Sequence, residues 1–298
     1  MNASPDSATA ESKTGAMYAL LAYGSWGLLP IYWKFFGQVP ALEVLSHRVL
    51  WSVLFLLGLL LLQRRGEEVR ALWRSPHRLR ILLVTALLLS FNWGLYIYAV
   101  NSDRVVESSL GYYINPLVNV LLGFLFLKER LNLWQQLAVL LACVGVGFFV
   151  WNFGQVPWIA LALAVSFGGY GLLRKMVAVA PMVGLAIETL LITPLALAML
   201  GYWSAIGTGH LGKDWRISLL FIGAGVITSM PLLWFNNAAK RLRLSTMGFF
   251  QYIAPSIQLV LGIFLYREPF TPTHLVTFLC IWSALVLYSM NAIAHPKS

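Results

Sequence analysis

SSLGYYINPLVNVLLGFLFLKE, Ser108 to Glu129, is apolar for long enough to cross a bilayer, yet it carries Asn115, Pro116 and Asn119 at mid-depth and stops at Lys128-Glu129. A second version appears 139 residues later as MGFFQYIAPSIQLVLGIFLYRE, Met247 to Glu268. In that register Tyr113, Ile114, Pro116, Leu122, Gly123 and Glu129 fall on Tyr252, Ile253, Pro255, Leu261, Gly262 and Glu268, and Lys128 falls on Arg267. The match extends outward. Ser25-Trp26-Gly27 with Lys34 resembles Ser166-Phe167-Gly168 with Lys175, and Pro40 resembles Pro181, at an offset of 141. The chain is therefore an internal duplication, and each copy contains a spanning helix interrupted by proline.

The rest of the composition agrees with a bilayer as solvent. Of 298 residues, 59% are hydrophobic and 11% charged, with a mean hydropathy of +0.75. Uncharged runs recur near the ~20 residues that a helix needs to cross ~30 Å of hydrocarbon. Leu131 to Leu173 is twice that length, and Asn152-Phe153-Gly154-Gln155-Val156-Pro157 divides it. Two more spans, Ala41 to Leu62 and Met182 to Tyr202, carry charges inside. The sequence thus predicts an all-α integral membrane protein with ten spans. Its expected parts are a polar arm without order of its own (1–15), a first five-span unit (16–152) and a second (157–294). No basic-then-apolar order marks a signal peptide at the start. Cys143 and Cys280 stand singly in apolar spans and predict free thiols.

Net charge is +10, but its distribution removes nucleic acid as the explanation. With a cytoplasmic N-terminus, fifteen Lys and Arg fall in inside segments, chiefly Arg64 to Arg80 and Lys240 to Arg243, against five outside. That is a positive-inside pattern. The Arg64 to Arg80 segment reads as a short amphipathic piece on anionic headgroups. Since each unit has an odd number of spans, the second enters the membrane from the opposite side. A pseudo-two-fold axis in the membrane plane then places a central site between the units.

Several chemistries are missing from the sequence. It holds no G-x-x-x-x-G-K-[ST] with which to cradle phosphates, and no H-E-x-x-H. Asp6, Asp103 and Asp214 all fall outside the spans, and no Ser and His are placed as nucleophile and base. An enzyme is not expected, and neither a cofactor nor a metal is called for.

Intramembrane polar groups are the candidate site. Glu43, His47 and Arg48 lie within little more than one turn of each other, and Glu188 stands at the position equivalent to His47. They form either an ion-coupling pathway or substrate-charge clamp, or a structural Glu43–Arg48 or Arg48–Glu188 pair. Asn92, Trp93 and Tyr96 are answered by Phe235, Asn236 and Asn237 in the second unit. Tyr112, Asn115 and Asn119 are answered by Gln251, Tyr252 and Gln258. These amide-plus-aromatic sets are expected to line a cavity, since lipid would leave the amides without partners. Trp26, Tyr32 and Tyr170 could stack on a planar solute, and Pro116 and Pro255 are expected to break their helices. Ala138-x-x-x-Ala142 and Ala160-x-x-x-Ala164 read as packing seams. Glu129 and Glu268 are expected to pair with Lys128, Arg130 or Arg267 at the surface.

The wording HRVLWS (His47 to Ser52), NWGLYIYAVN (Asn92 to Asn101) and SLGYYINPLVNVLLG (Ser109 to Gly123), with a charged Glu motif after the fourth and ninth spans, resembles the EamA branch of the drug/metabolite transporter superfamily, and within it the RarD-type permeases. The resemblance covers residues 16–292. It implies two inverted five-helix repeats, a central cavity and an exporter-like permease of the bacterial inner membrane. The expected function is secondary-active transport of small amphipathic metabolites or drugs by alternating access, with both termini cytoplasmic. A passive channel or a lipid-handling protein on the same scaffold is the alternative. The expected partners are a small-molecule substrate and membrane lipid; a homodimer stays open.

Overall fold

The computed structural model describes residues 5–128, 131–177, 179–239, 241–242 and 250–294, and among these no strand occurs. The first half holds α1 (Pro5–Lys34), α2 (Ala41–Leu62), α3 (Gly66–Trp73), α4 (Pro76–Asn101), α5 (Val105–Leu127) and α6 (Leu133–Phe153). The second holds α7 (Trp158–Met176), α8 (Pro181–Ala205), α9 (Trp215–Ala239), α10 (Ile253–Val260) with a π-helical turn at Leu261–Leu265, and α11 (Pro272–Ala294). Among the described residues, six helices (α2, α4, α5, α6, α8 and α9) are long and apolar enough to cross a membrane; α7, α10 with its π turn, and α11 add shorter apolar segments. Glu129, Arg130, Lys240, Arg243, residues 247–249 and Lys297 lie outside the described residues.

Local chemistry sets the helix ends. Pro76 and Pro181 sit at the first turns of α4 and α8, where the missing N–H has no intrahelical partner to lose. Asn132 and Gln135 form a reciprocal capping box at the start of α6. Lys128 and Arg267 both adopt φ 54°, a left-handed conformation costing roughly 1 kcal/mol for a residue with a Cβ. They are equivalent positions of the two copies, so the short charged motif is a sharp stop to an apolar helix. α1 starts at Pro5, and so takes in residues of the polar arm for which the sequence predicts no order.

One expectation about the prolines is corrected. α5 runs unbroken from Val105 to Leu127 with Pro116 inside it. Close contacts with α7 flank the proline, Gly111 against Ala160 and Val118 against Gly168. In the second copy the break does occur: a turn at 251–252 precedes α10, which puts Pro255 in its first turn.

Packing partners exchange between the copies. α1 lies against α9 and α10, while α7, its equivalent, lies against α4 and α5; α2 pairs with α8 and α6 with α11. The two halves are thus interlocked rather than stacked side by side. Side chains such as Leu61, Trp151 and Phe264, exposed by 77%, 89% and 75%, coat the outside of the bundle, as lipid contact demands. Inside, small residues bring helices close, since apolar burial gives little drive between helices in lipid. Ala138, Ala142, Ala160 and Ala164 are all buried in one cluster.

Gly111 of α5 packs closely against the α7 backbone. A Cβ there would stand 2.7 Å from the Ala160 carbonyl oxygen. Gly111→Ala is therefore expected to cost about 1–3 kcal/mol through overpacking. It should lower the melting midpoint of the purified protein; an unchanged midpoint would contradict this packing.

Candidate functional site

Three carboxylates tie helix ends and a loop together at one end of the bundle. The Val105 and Val106 N–H groups, at the start of α5, donate to Glu268 Oε1 and Oε2 at 2.7 Å each. The Ile159 N–H, at the start of α7, donates to Glu107 Oε1 at 3.0 Å. Glu43 Oε1 accepts from the His210 N–H at 2.7 Å, and His210 Nδ1 lies 2.8 Å from Oε2. Helix N-termini carry unsatisfied donors and partial positive charge, so a buried carboxylate is a fitting partner. Burial raises the Glu268 carboxyl above its ordinary range, and the two N–H groups offset part of that shift. Lys34 pairs with Asp103 at the same end, and the Tyr32 hydroxyl donates to the Leu220 carbonyl. Beneath these contacts Trp33, Phe36 and Phe221 form an aromatic plug, with the His47 ring stacked 3.8 Å from Phe221.

Below the plug lies a cavity of about 610 Å³, within the usual ~300–1,000 Å³ of small-molecule sites. Its walls come from both copies and include Tyr23, Trp26, Trp93, Phe167, Tyr170 and Phe235. The lining continues to Arg174, Val179 and Pro181 at the α7–α8 junction, which is the opposite end of α7 from the Glu107 contact. Asn92, Asn115, Asn236, Gln251 and Gln258 supply its amides. Asn92 does double duty: its Nδ2 donates to the Leu163 carbonyl at 3.0 Å and to Ser166 Oγ at 2.9 Å, fastening α4 to α7. Gln258 Nε2 donates to the Trp26 carbonyl at 3.2 Å, while its Oε1 is buried without a partner.

The charged cluster does not pair as either structural reading expects. Glu43 is engaged by His210, and among the described residues it forms no ion pair with Arg48. Glu188, 1% exposed, accepts from Thr85 Oγ1 at 2.6 Å and from the Tyr170 hydroxyl at 3.3 Å, and lies 3.7 Å from Arg174. Arg48 is 4% exposed, and its Nε and Nη1 have no hydrogen-bond partner. Its guanidinium lies 3.9 Å from the centroid of Trp93 and 5.0 Å from that of Trp33. A desolvated cation–π contact returns roughly 2 kcal/mol, short of the several kcal/mol of burying an unpaired cation. Arg48 is among the residues that line the cavity.

Several sequence-predicted lining residues stand elsewhere. Tyr32 is turned into the α1–α9 contact by its bond to Leu220. Asn119 is exposed beside Gly168. Asn237 Nδ2 is spent on the Leu233 carbonyl at 2.9 Å, and its Oδ1 accepts from Arg241 at 3.2 Å. Tyr252 stacks on Tyr113, 6.3 Å between centroids. Glu268 binds backbone N–H groups instead of Arg267. Conversely Tyr23, Thr228, Ser229 and Arg174 line the cavity without having been singled out. Tyr23 lies one turn from Trp26 on the same face, and Thr228-Ser229 is a polar pair inside an apolar span, so both had a sequence signal.

The EamA-like transporter family model matches residues 13–151 and again 156–290. An uncharacterized transporter of Vibrio cholerae is 48% identical over 95% of this chain and 94% of its own length. Protein RarD of Salmonella typhi is 45% identical over 95% and 97%. A chloramphenicol-sensitive protein RarD of Pseudomonas aeruginosa is 30% identical over 93% of each. A protein crystal structure of the same fold superposes with a TM-score of 0.62 at 17% identity, covering 94% of this chain and 98% of that one.

The grip on α5 is open to test. Glu268→Ala removes a charged acceptor from two N–H groups and is expected to cost roughly 2 kcal/mol. Amide hydrogen exchange at Val105 and Val106 should accelerate, and protection as in the wild type would refute the contact.

Proposed function

This chain belongs to the EamA-like transporter family, and from that premise we propose that it is a secondary-active permease that exports small amphipathic metabolites or drugs by alternating access. It is an integral protein of the bacterial inner membrane, and in this reading both termini and the Arg64 to Arg80 segment face the cytoplasm. The observation that carries the proposal is the cavity itself. It is walled by rings and amides from both copies, and one end is closed by plug and carboxylates while the lining runs on toward the other. A site built at the interface of two inverted repeats is the expected geometry for a rocking carrier. The closed end favours a carrier over an open pore. Aromatic walls suit a solute with an apolar body, and the amides orient its polar part.

Rocking requires the Lys34–Asp103 end to part. In proteoliposomes the wild type should show saturable counterflow. A protein carrying Lys34→Cys with Asp103→Cys, bridged by a short bifunctional thiosulfonate, should lose that flux and regain it with reductant. Undiminished counterflow in the bridged protein would sink alternating access.

Among the ion-coupling candidates Glu188 is linked to the cavity lining by Tyr170 and Arg174, whereas Glu43 is engaged by His210 and His47 stacks on Phe221. We therefore assign proton coupling to Glu188. Glu188→Gln should abolish accumulation driven by a pH gradient while sparing counterflow, which needs no net proton movement. Gradient-driven uptake at the wild-type level would remove Glu188 from that role.

A further inference from the structure

We propose that the cavity is an organic-anion site in which Arg48 receives the carboxylate of an amphipathic solute whose apolar body lies among the aromatic walls. The inference deepens the carrier reading and rests on it. Arg48 is 4% exposed with Nε and Nη1 lacking partners, and among the described residues no carboxylate pairs with it. The two acids buried within the neighbouring spans are committed elsewhere, Glu43 to His210 and Glu188 to Arg174, Thr85 and Tyr170.

The surroundings fix the sign of the missing partner. Among the described residues the charged side chains lining the cavity are Arg48 and Arg174, both cationic. A buried cation left without its partner is unfavourable, and the planar guanidinium fork matches a carboxylate in two-point geometry. Two tryptophans hold the fork, with Trp93 at 3.9 Å and Trp33 at 5.0 Å, so its donors are pre-oriented. Tyr96 and Tyr112 stand beside it on the cavity wall, 5.7 Å apart, and the Tyr96 hydroxyl is buried without a partner. That hydroxyl supplies a further donor for an anion. Away from Arg48 the wall is mainly apolar, including Leu56, Leu89, Phe167, Leu185 and Phe235, which selects a carboxylate with a hydrophobic body over a bare inorganic ion.

The test compares matched headgroups on one body. Full-length protein in nanodiscs of uncharged lipid, which excludes acidic headgroups as the anion, is titrated with acid, amide and amine triples: phenylacetate, phenylacetamide and phenethylamine, and the corresponding hexyl set. At least one acid is expected to bind about tenfold or more tighter than its amide and amine. Arg48→Met should erase that preference, and Arg48→Lys should restore part of it. The wild-type headgroup ranking stands without either variant should one fail to fold. Inorganic phosphate and chloride at equal concentration should not displace the acid. Amide or amine binding as tightly as acid, a preference surviving Arg48→Met, displacement by phosphate, or no binding by any acid would each overturn the proposal. The carrier reading is judged separately by counterflow. Saturable exchange of a neutral or cationic solute would leave the carrier standing without its anion site, whereas acid binding without exchange would do the reverse.

Discussion

Away from water, a backbone N–H at the start of a helix must find an acceptor within the protein, and this requirement organises one whole end of the molecule. Glu268 and Glu107 meet it for α5 and α7, and Glu43 does the same for the loop before α9. Glu268 and Glu43 each bind a segment in the other half of the chain, as does Glu107. The same contacts that satisfy local donors therefore bind the two halves to each other. Satisfying helix ends and closing the cavity are one act.

Beneath that closure the polar groups divide by whether the fold has used them. The Nδ2 groups of Asn92 and Asn237 are spent on neighbours and serve as fasteners. Arg48 Nε and Nη1, the Tyr96 hydroxyl, Asn115 Oδ1 and Gln258 Oε1 are buried without hydrogen-bond partners, on residues that line the cavity. Unspent hydrogen-bonding capacity is costly in a core and sensible only where something else comes to use it. This contrast, more than the size of the cavity, separates recognition from glue.

The duplication, the all-helical membrane fold and the polar spots within apolar spans were readable from residues alone, because amides and prolines stand out against a hydrocarbon background. Asn92, Asn115, Asn236, Gln251 and Gln258 all reach the cavity wall. Tyr32, Asn119, Asn237 and Tyr252 show the limit of that signal. Depth in the membrane follows from position along a span, but the direction a side chain faces depends on how helices cross, and one further residue turns it by about 100°. Pro116 shows a related limit, since a proline inside an apolar span need not end its helix, and α5 continues through it. The Glu268 contact was hidden for another reason: its partners are backbone donors 163 and 162 residues earlier, which have no side-chain signature.

The π-helical turn at Leu261–Leu265 has no equivalent in α5, which stays α-helical through Leu127. A wider turn takes in an additional residue and rotates whatever follows it. The duplicated halves are consequently not interchangeable under their pseudo-symmetry. The additional residue sets the direction in which the chain leaves toward Arg267 and Glu268, and so helps to deliver that carboxylate to the start of α5.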